Sequence, residues 1–196
     1  MRAMFCTVGV ALSLAMPLAA RQAAPKTAAE MKAASDAHHA DFDYLLGDWE
    51  FTSTSREFGT GHGVWSAVRL SEGQILDEFR ILDTAGKTVY VTTTVRAYNA
   101  RLGLWELVGM DEGSGLQNVG SGMRVGTEVH LEQKGEDDTG KAMIMRIRYY
   151  DILGDRFSWR ADQSSDGGKT WTKDVLRIEA RRIGPPRAMN ALTPRK

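Results

Sequence analysis

The sequence predicts an all-β protein, an antiparallel up-and-down barrel of about ten strands with one short N-terminal helix. Three observations carry that reading. Turn residues recur at short intervals, from Gly59-Thr60-Gly61 through Glu72-Gly73, Ala85-Gly86-Lys87 and Gly113-Ser114-Gly115 to Asp166-Gly167-Gly168. The segments between them are rich in Val, Ile, Thr, Tyr, Phe and Trp, and all five tryptophans lie in or at the ends of these segments. Short strands at such spacing indicate a sandwich or barrel. With no helical pattern between strands, parallel βαβ folds are excluded.

Residues 1–20 read as a cleaved signal peptide. Arg2 supplies a basic start, Phe5 to Leu18 form an apolar run too short to span a bilayer, and Ala19-Ala20 end it. Cleavage is expected after Ala20, with Ala24 as the alternative. An uncleaved anchor is the competing reading. Cleavage removes one base, no acid and Cys6, the single cysteine, leaving a near-neutral chain without disulfide or thiol chemistry. Lys and Arg total 25, as do Asp and Glu. That balance argues against a nucleic-acid partner. A periplasmic or secreted location follows, with no stable membrane insertion after cleavage.

Residues 21–40 form an Ala-rich helical linker, with Pro25 and Thr27 marking the start of a helix over residues 27–38. Residues 41–183 form the barrel domain. Gly184-Pro185-Pro186 then ends regular structure, and residues 184–196 are expected to be a flexible tail. A barrel is preferred to a sandwich because some strands are mixed on both faces. Val89, Val91, Thr93 and Val95 alternate with Tyr90, Thr92, Thr94 and Arg96. Met143, Met145, Ile147 and Tyr149 alternate with Ile144, Arg146, Arg148 and Tyr150. Barrels with a wet or ligand-holding interior tolerate such strands.

Two motifs carry a family resemblance. Phe42-Asp43-Tyr44-Leu45-Leu46-Gly47-Asp48-Trp49 is similar to the Gly-x-Trp opening of lipocalins and their calycin relatives. By that resemblance Gly47 permits a tight turn, Trp49 plugs one barrel end, and Arg181 on the last strand stacks on the indole. Ser164 to Trp171 resembles the Asp-box hairpin, with Asp166 accepting backbone hydrogen bonds and Trp171 packing beneath. Over residues 42–182 the chain resembles a family of exported bacterial lipocalin-like barrels known as a domain of unknown function. The resemblance implies a barrel of eight to ten strands and no particular activity.

Familiar catalytic and nucleotide-binding signatures are missing from the sequence. His38 and His39 lie near Asp36, Asp41 and Asp43, but sequence neighbours diverge on a helix, so no metal site is expected. Barrels of the nitrobindin type bind haem through a histidine near their C-terminal end. No histidine follows His130 here, so haem and other cofactors are not expected unless His62 or His130 faces inward.

Arginines within strands are the informative polar residues: Arg96, Arg146, Arg148, Arg160 and Arg177. On an outer face they are simply solvated. The sharper expectation is that Arg96 and Arg146 face inward with Tyr149 and Trp159, and that Glu78 or Glu106, also mid-strand, serves as an internal partner. Such a pocket, with an apolar wall and a cationic end, would take a small, partly hydrophobic ligand with an anionic head. The leading functional expectation is a non-catalytic small-molecule binder, monomeric or weakly dimeric. One alternative is a small-metabolite hydrolase or isomerase using Glu78 with His130 or Tyr149. Another is a protein-interaction module.

Overall fold

The computed structural model describes residues 25–188, apart from residues 57, 58, 72, 112 and 138. The expected signal peptide and the end of the tail lie outside the described residues.

The chain enters through α1 (Ala28–His38), whose first turn is fixed by a capping box. Thr27 Oγ1 accepts from the Glu30 amide at 3.2 Å, and Glu30 Oε2 accepts from the Thr27 amide at 2.7 Å. Met31, Ala34, Ser35 and His38 are its half-buried face, at the spacing of one helical stripe. His38 stacks on Tyr98 with ring centres 4.8 Å apart. A 3₁₀ turn (Asp43–Leu45) then leads into the sheet.

Ten strands follow: β1 (Gly47–Ser55), β2 (Gly59–Arg69), β3 (Ile75–Leu82), β4 (Thr88–Asn99), β5 (Leu104–Asp111), β6 (Gly115–Val125), β7 (Glu128–Glu136), β8 (Ala142–Tyr150), β9 (Arg156–Ser164) and β10 (Thr172–Gly184). Each pairs antiparallel with its neighbours in sequence, and β1 pairs with both β2 and β10. The sheet therefore closes into an up-and-down barrel, as the turn spacing predicts, and closure removes the open edges that invite aggregation. A two-residue β11 (Arg187–Ala188) adds parallel to β2 at Val68 and Arg69, and Arg187 forms an ion pair with Asp48. The first residues past the double proline are thus docked, which corrects the expectation of a flexible tail starting at residue 184.

Inward positions follow the two-residue period. One end of the barrel, between the 3₁₀ turn and the middle of the strands, is sealed by Phe42, Leu45, Trp49, Trp105, Tyr149 and Phe157, all at most 2% exposed. Their rings meet mostly edge to face, for example Trp49 against Phe157 at 4.8 Å and Phe42 against Trp105 at 5.0 Å.

Candidate functional site

The sealed end is built by the Gly-x-Trp segment. Gly47 sits at φ +109°, and a Cβ there would lie 2.6 Å from Arg182 Nη1 and 2.7 Å from Gly184 O, so only glycine fits. Trp49 donates its indole N–H to Leu45 O at 2.8 Å. The stacking cation is Arg182, with its guanidinium carbon 4.1 Å from the Trp49 ring centre. Arg181, expected in that place, faces outward and pairs with Glu50 at 2.8 Å. The register settles the matter: Trp49 lies opposite Arg182 and Glu50 opposite Arg181. On a strand, one residue of offset exchanges the two faces.

Above this plug lies a buried polar layer. Arg96 is 2% exposed and faces inward, as expected. It forms an ion pair with Asp77, and its Nη2 donates to the Tyr149 hydroxyl at 3.3 Å. Asp77 Oδ1 accepts the Trp65 indole N–H at 2.7 Å. Tyr149 and Trp159 are register partners and both point inward. Burial raises the Tyr149 phenol above its ordinary range, against the opposing pull of Arg96. Burial raises Tyr44, whose hydroxyl is buried without a partner, well above that range. Asp77 was not foreseen. Its signal was a charge on the face of β3 that otherwise carries Ile75, Phe79 and Ile81.

Beyond this layer the barrel changes character. Inward side chains in the half nearest the 83–87, 137–141 and 165–171 turns are half-buried: Phe79, Thr92, Asn118, Gln133, Met145 and Gln163 among them. Solvent reaches these axis-facing side chains, so this end, the cup of the barrel, is less tightly filled than the Trp49 end. Phe79 stacks flat on Phe51 at 4.7 Å and forms part of its apolar wall. Its polar side is a chain of neutral groups. Thr92 Oγ1 donates to Gln117 Oε1 at 2.9 Å, Asn118 Nδ2 donates to the same oxygen at 3.3 Å, and Gln117 Nε2 donates to the Tyr90 hydroxyl.

Two expected pocket residues lie elsewhere. Arg146 is on the outer face, where it covers the Trp171 ring at 3.9 Å and pairs with Glu132 at 3.5 Å. Glu78 is also outside and accepts from Arg80 Nε at 2.6 Å. Both fall one residue from an inward position. His130 points outward beside Glu128 at 2.6 Å, on β7, which is not a neighbour of β3. Glu78 therefore meets neither His130 nor the inward Tyr149, and the pair imagined for acid–base chemistry does not assemble. His62 falls on the outward parity of β2 as well. The remaining strand arginines are paired outside, Arg148 with Glu128, and Arg160 and Arg177 with Asp174.

The Asp-box segment forms the expected turn between β9 and β10. Asp166 accepts from the Thr170 amide at 2.9 Å, the Lys169 amide at 3.0 Å and the Thr170 hydroxyl at 2.7 Å. These bonds, chiefly from Thr170, hold its carboxyl at about 2. Trp171 donates to Gly168 O at 3.0 Å.

No family model matches the chain, and no curated protein matches it. Among solved structures the chain is similar to the crystal structure of Rv2717c from M. tuberculosis, at 20% identity and a TM-score of 0.53. The match covers 76% of this chain and 97% of that one. That likeness agrees with the ten-strand antiparallel barrel and bears on the fold alone.

Proposed function

We propose that this protein is an exported, non-catalytic carrier or sensor that binds a small, partly hydrophobic molecule in the open half of its barrel. The observation that carries the reading is the contrast along the barrel axis. Inward side chains are sealed at the Trp49 end and reached by solvent at the Phe79–Met145 end. A cup with an apolar wall and a few fixed hydrogen-bonding groups is the usual form of a small-molecule site. The anionic head expected of the ligand loses its basis, since Arg146 lies outside and Arg96 already has Asp77 as its counter-ion. Nile red, an uncharged solvatochromic dye, tests the reading. Saturable one-to-one binding with a blue shift supports it, and a purely linear response refutes it.

A second reading concerns the outer face. Leu76, Val95, Val108 and Val119 stand directly opposite one another across β3 to β6, and Met110 and Leu116 extend the row. Val95, Val108, Met110, Leu116, Val119, Met123 and Val125 are each 39–62% exposed, a contiguous apolar face of the kind that marks an interaction surface. The occupant we assign is a second copy of the chain. Sedimentation equilibrium checks it: the wild type should dimerise and Val108→Lys should not, whereas a monomer at all concentrations refutes it.

A further inference from the structure

The outer face of β7 to β10 carries an unbroken row of bases. His130 lies directly opposite Arg148, Arg148 opposite Arg160, and Arg160 opposite Arg177. Like charges directly opposite one another destabilise a sheet. The adjoining row, Glu132 opposite Arg146 and Arg146 opposite Asp162, instead alternates in sign, as an ordinary solvated face does. Among the described residues, two carboxylates form ion pairs with the basic row. Glu128 holds Arg148 and His130, and Asp174 is shared between Arg160 and Arg177.

A groove of about 450 Å³ opens over these two rows, lined by Arg146, Arg148, Arg160 and Lys173 and by the acids Glu132 and Asp162. Two of its arginines are loosely held. The ion-pair partner of Arg146, Glu132, is 3.5 Å away, beyond a good hydrogen bond, and Arg160 stands 3.5 Å from Asp174. Arg146 is anchored instead by the Trp171 ring, 3.9 Å from its guanidinium carbon, an attachment that uses no N–H. An irregularity of β10 keeps Arg146 from its opposite neighbour. Gln163 pairs with Thr172 and Ala161 with Leu176, so β10 advances four residues while β9 advances two. Asp174, within that bulge, takes a left-handed φ of +51°. The Asp174 amide then donates to Asp162 Oδ1 at 2.9 Å and the Lys173 ammonium to Oδ2 at 2.7 Å. Asp162 is thus occupied on both oxygens, and the N–H groups of Arg146 are left for another acceptor.

From this arrangement we infer an oxyanion site on the outer face of the barrel, in which Arg146 and Arg160 grip a phosphate ester and Arg148, the neighbour of both, adds a third positive charge. A phosphate ester suits the groove better than a carboxylate. Its three free oxygens accept from separate guanidinium groups, and its double charge meets the excess of bases in the row. The site lies outside the barrel and does not depend on a ligand in the cup. Soluble phosphate esters and phospholipid headgroups carry the same group, and the experiment separates the two sources.

The test follows the arginine guanidinium carbons by NMR at about pH 8, where a phosphomonoester is a dianion. The probe is methyl phosphate, and sodium chloride at equal ionic strength is the control. Saturable shifts are expected at Arg146 and Arg160 and none with chloride. Arg146→Gln and Arg160→Gln should each weaken binding at least about fivefold. Arg181→Gln, whose side chain pairs with Glu50, should bind as the wild type does. Co-sedimentation with vesicles containing phosphatidic acid assigns the source. Retention that Arg160→Gln abolishes identifies a lipid headgroup, and binding of methyl phosphate without such retention identifies a small soluble ester. Linear shifts equal to those with chloride mean that only bulk screening acts, and they overturn the inference. Undiminished binding by both glutamine variants overturns it as well.

Discussion

Arg182 lies with its guanidinium over the indole of Trp49 and at the same time donates to the carbonyls of Tyr44 at 2.9 Å and Gly154 at 2.8 Å, and to that of Leu46 at 2.5 Å. One side chain thus ties the 3₁₀ turn, the β8–β9 loop and the last strand to the plug of the barrel. Burial lowers its pKa from the ordinary arginine value, yet arginine stays charged at any accessible pH. Replacing Arg182 with Ala should therefore cost about 2 kcal/mol in urea unfolding. Replacing Arg181, whose side chain is exposed, should leave the midpoint nearly unchanged. A reversed order of the two variants would return the stacking role to Arg181.

The Arg96–Asp77 pair should behave as a unit. Arg96→Met alone leaves a buried carboxylate and Asp77→Leu alone leaves a buried guanidinium. Each should cost about 3–5 kcal/mol. The double variant should cost clearly less than the two singles together. Additive losses in a denaturation cycle would mean that the charges do not sense each other.

The Asp-box turn gives a pH dependence of known sign. The folded pKa of Asp166, about 2, lies below its ordinary 3.8. A depressed carboxyl contributes stability that is fully present above the unfolded value and is lost as pH falls through the folded one. The gap in melting temperature between wild type and Asp166→Ala should thus be constant from pH 7 to about 5, and should close between about 4 and 2. A gap that persisted unchanged at pH 2 would contradict the hydrogen-bonded carboxylate.

The tyrosines should titrate in two groups. Burial raises three of the five, Tyr44 the most strongly, together with Tyr149 and Tyr98. The hydroxyls of Tyr44 and Tyr149 are buried, so absorbance at 295 nm should show these two resisting ionisation until the barrel unfolds in alkali. Loss of the slow group in Tyr44→Phe and Tyr149→Phe would assign the signals.

Much of the fold was legible in the sequence because its signals are local. Glycine-rich turns, β-branched segments between them and the Thr27–Glu30 cap each depend on a few adjacent residues. The site was less legible because it depends on parity. Arg181 and Arg182 differ by one residue and so by a face, and no local signal chooses between them. The mixed strands do belong to a barrel, yet β4 carries its apolar set of Val89 and Val95 outside and its polar set of Thr92, Thr94 and Arg96 within. Hydrophobicity alone would turn that strand the wrong way. The partner that decides it, Asp77, comes from a different strand, and Gln117 is left without a register partner by an irregularity between Gly109 and Met110. Both are non-local facts.

Methionine methyl groups offer the most direct test of where a ligand goes. Met143 and Met145 face into the cup, while Met110 and Met123 stand on the outer face. With methyl-labelled methionine, titration with decan-1-ol should shift the Met143 and Met145 signals saturably and leave Met110 and Met123 in place. Shifts confined to Met110 and Met123, or no shifts at all, would contradict a binding cup inside the barrel.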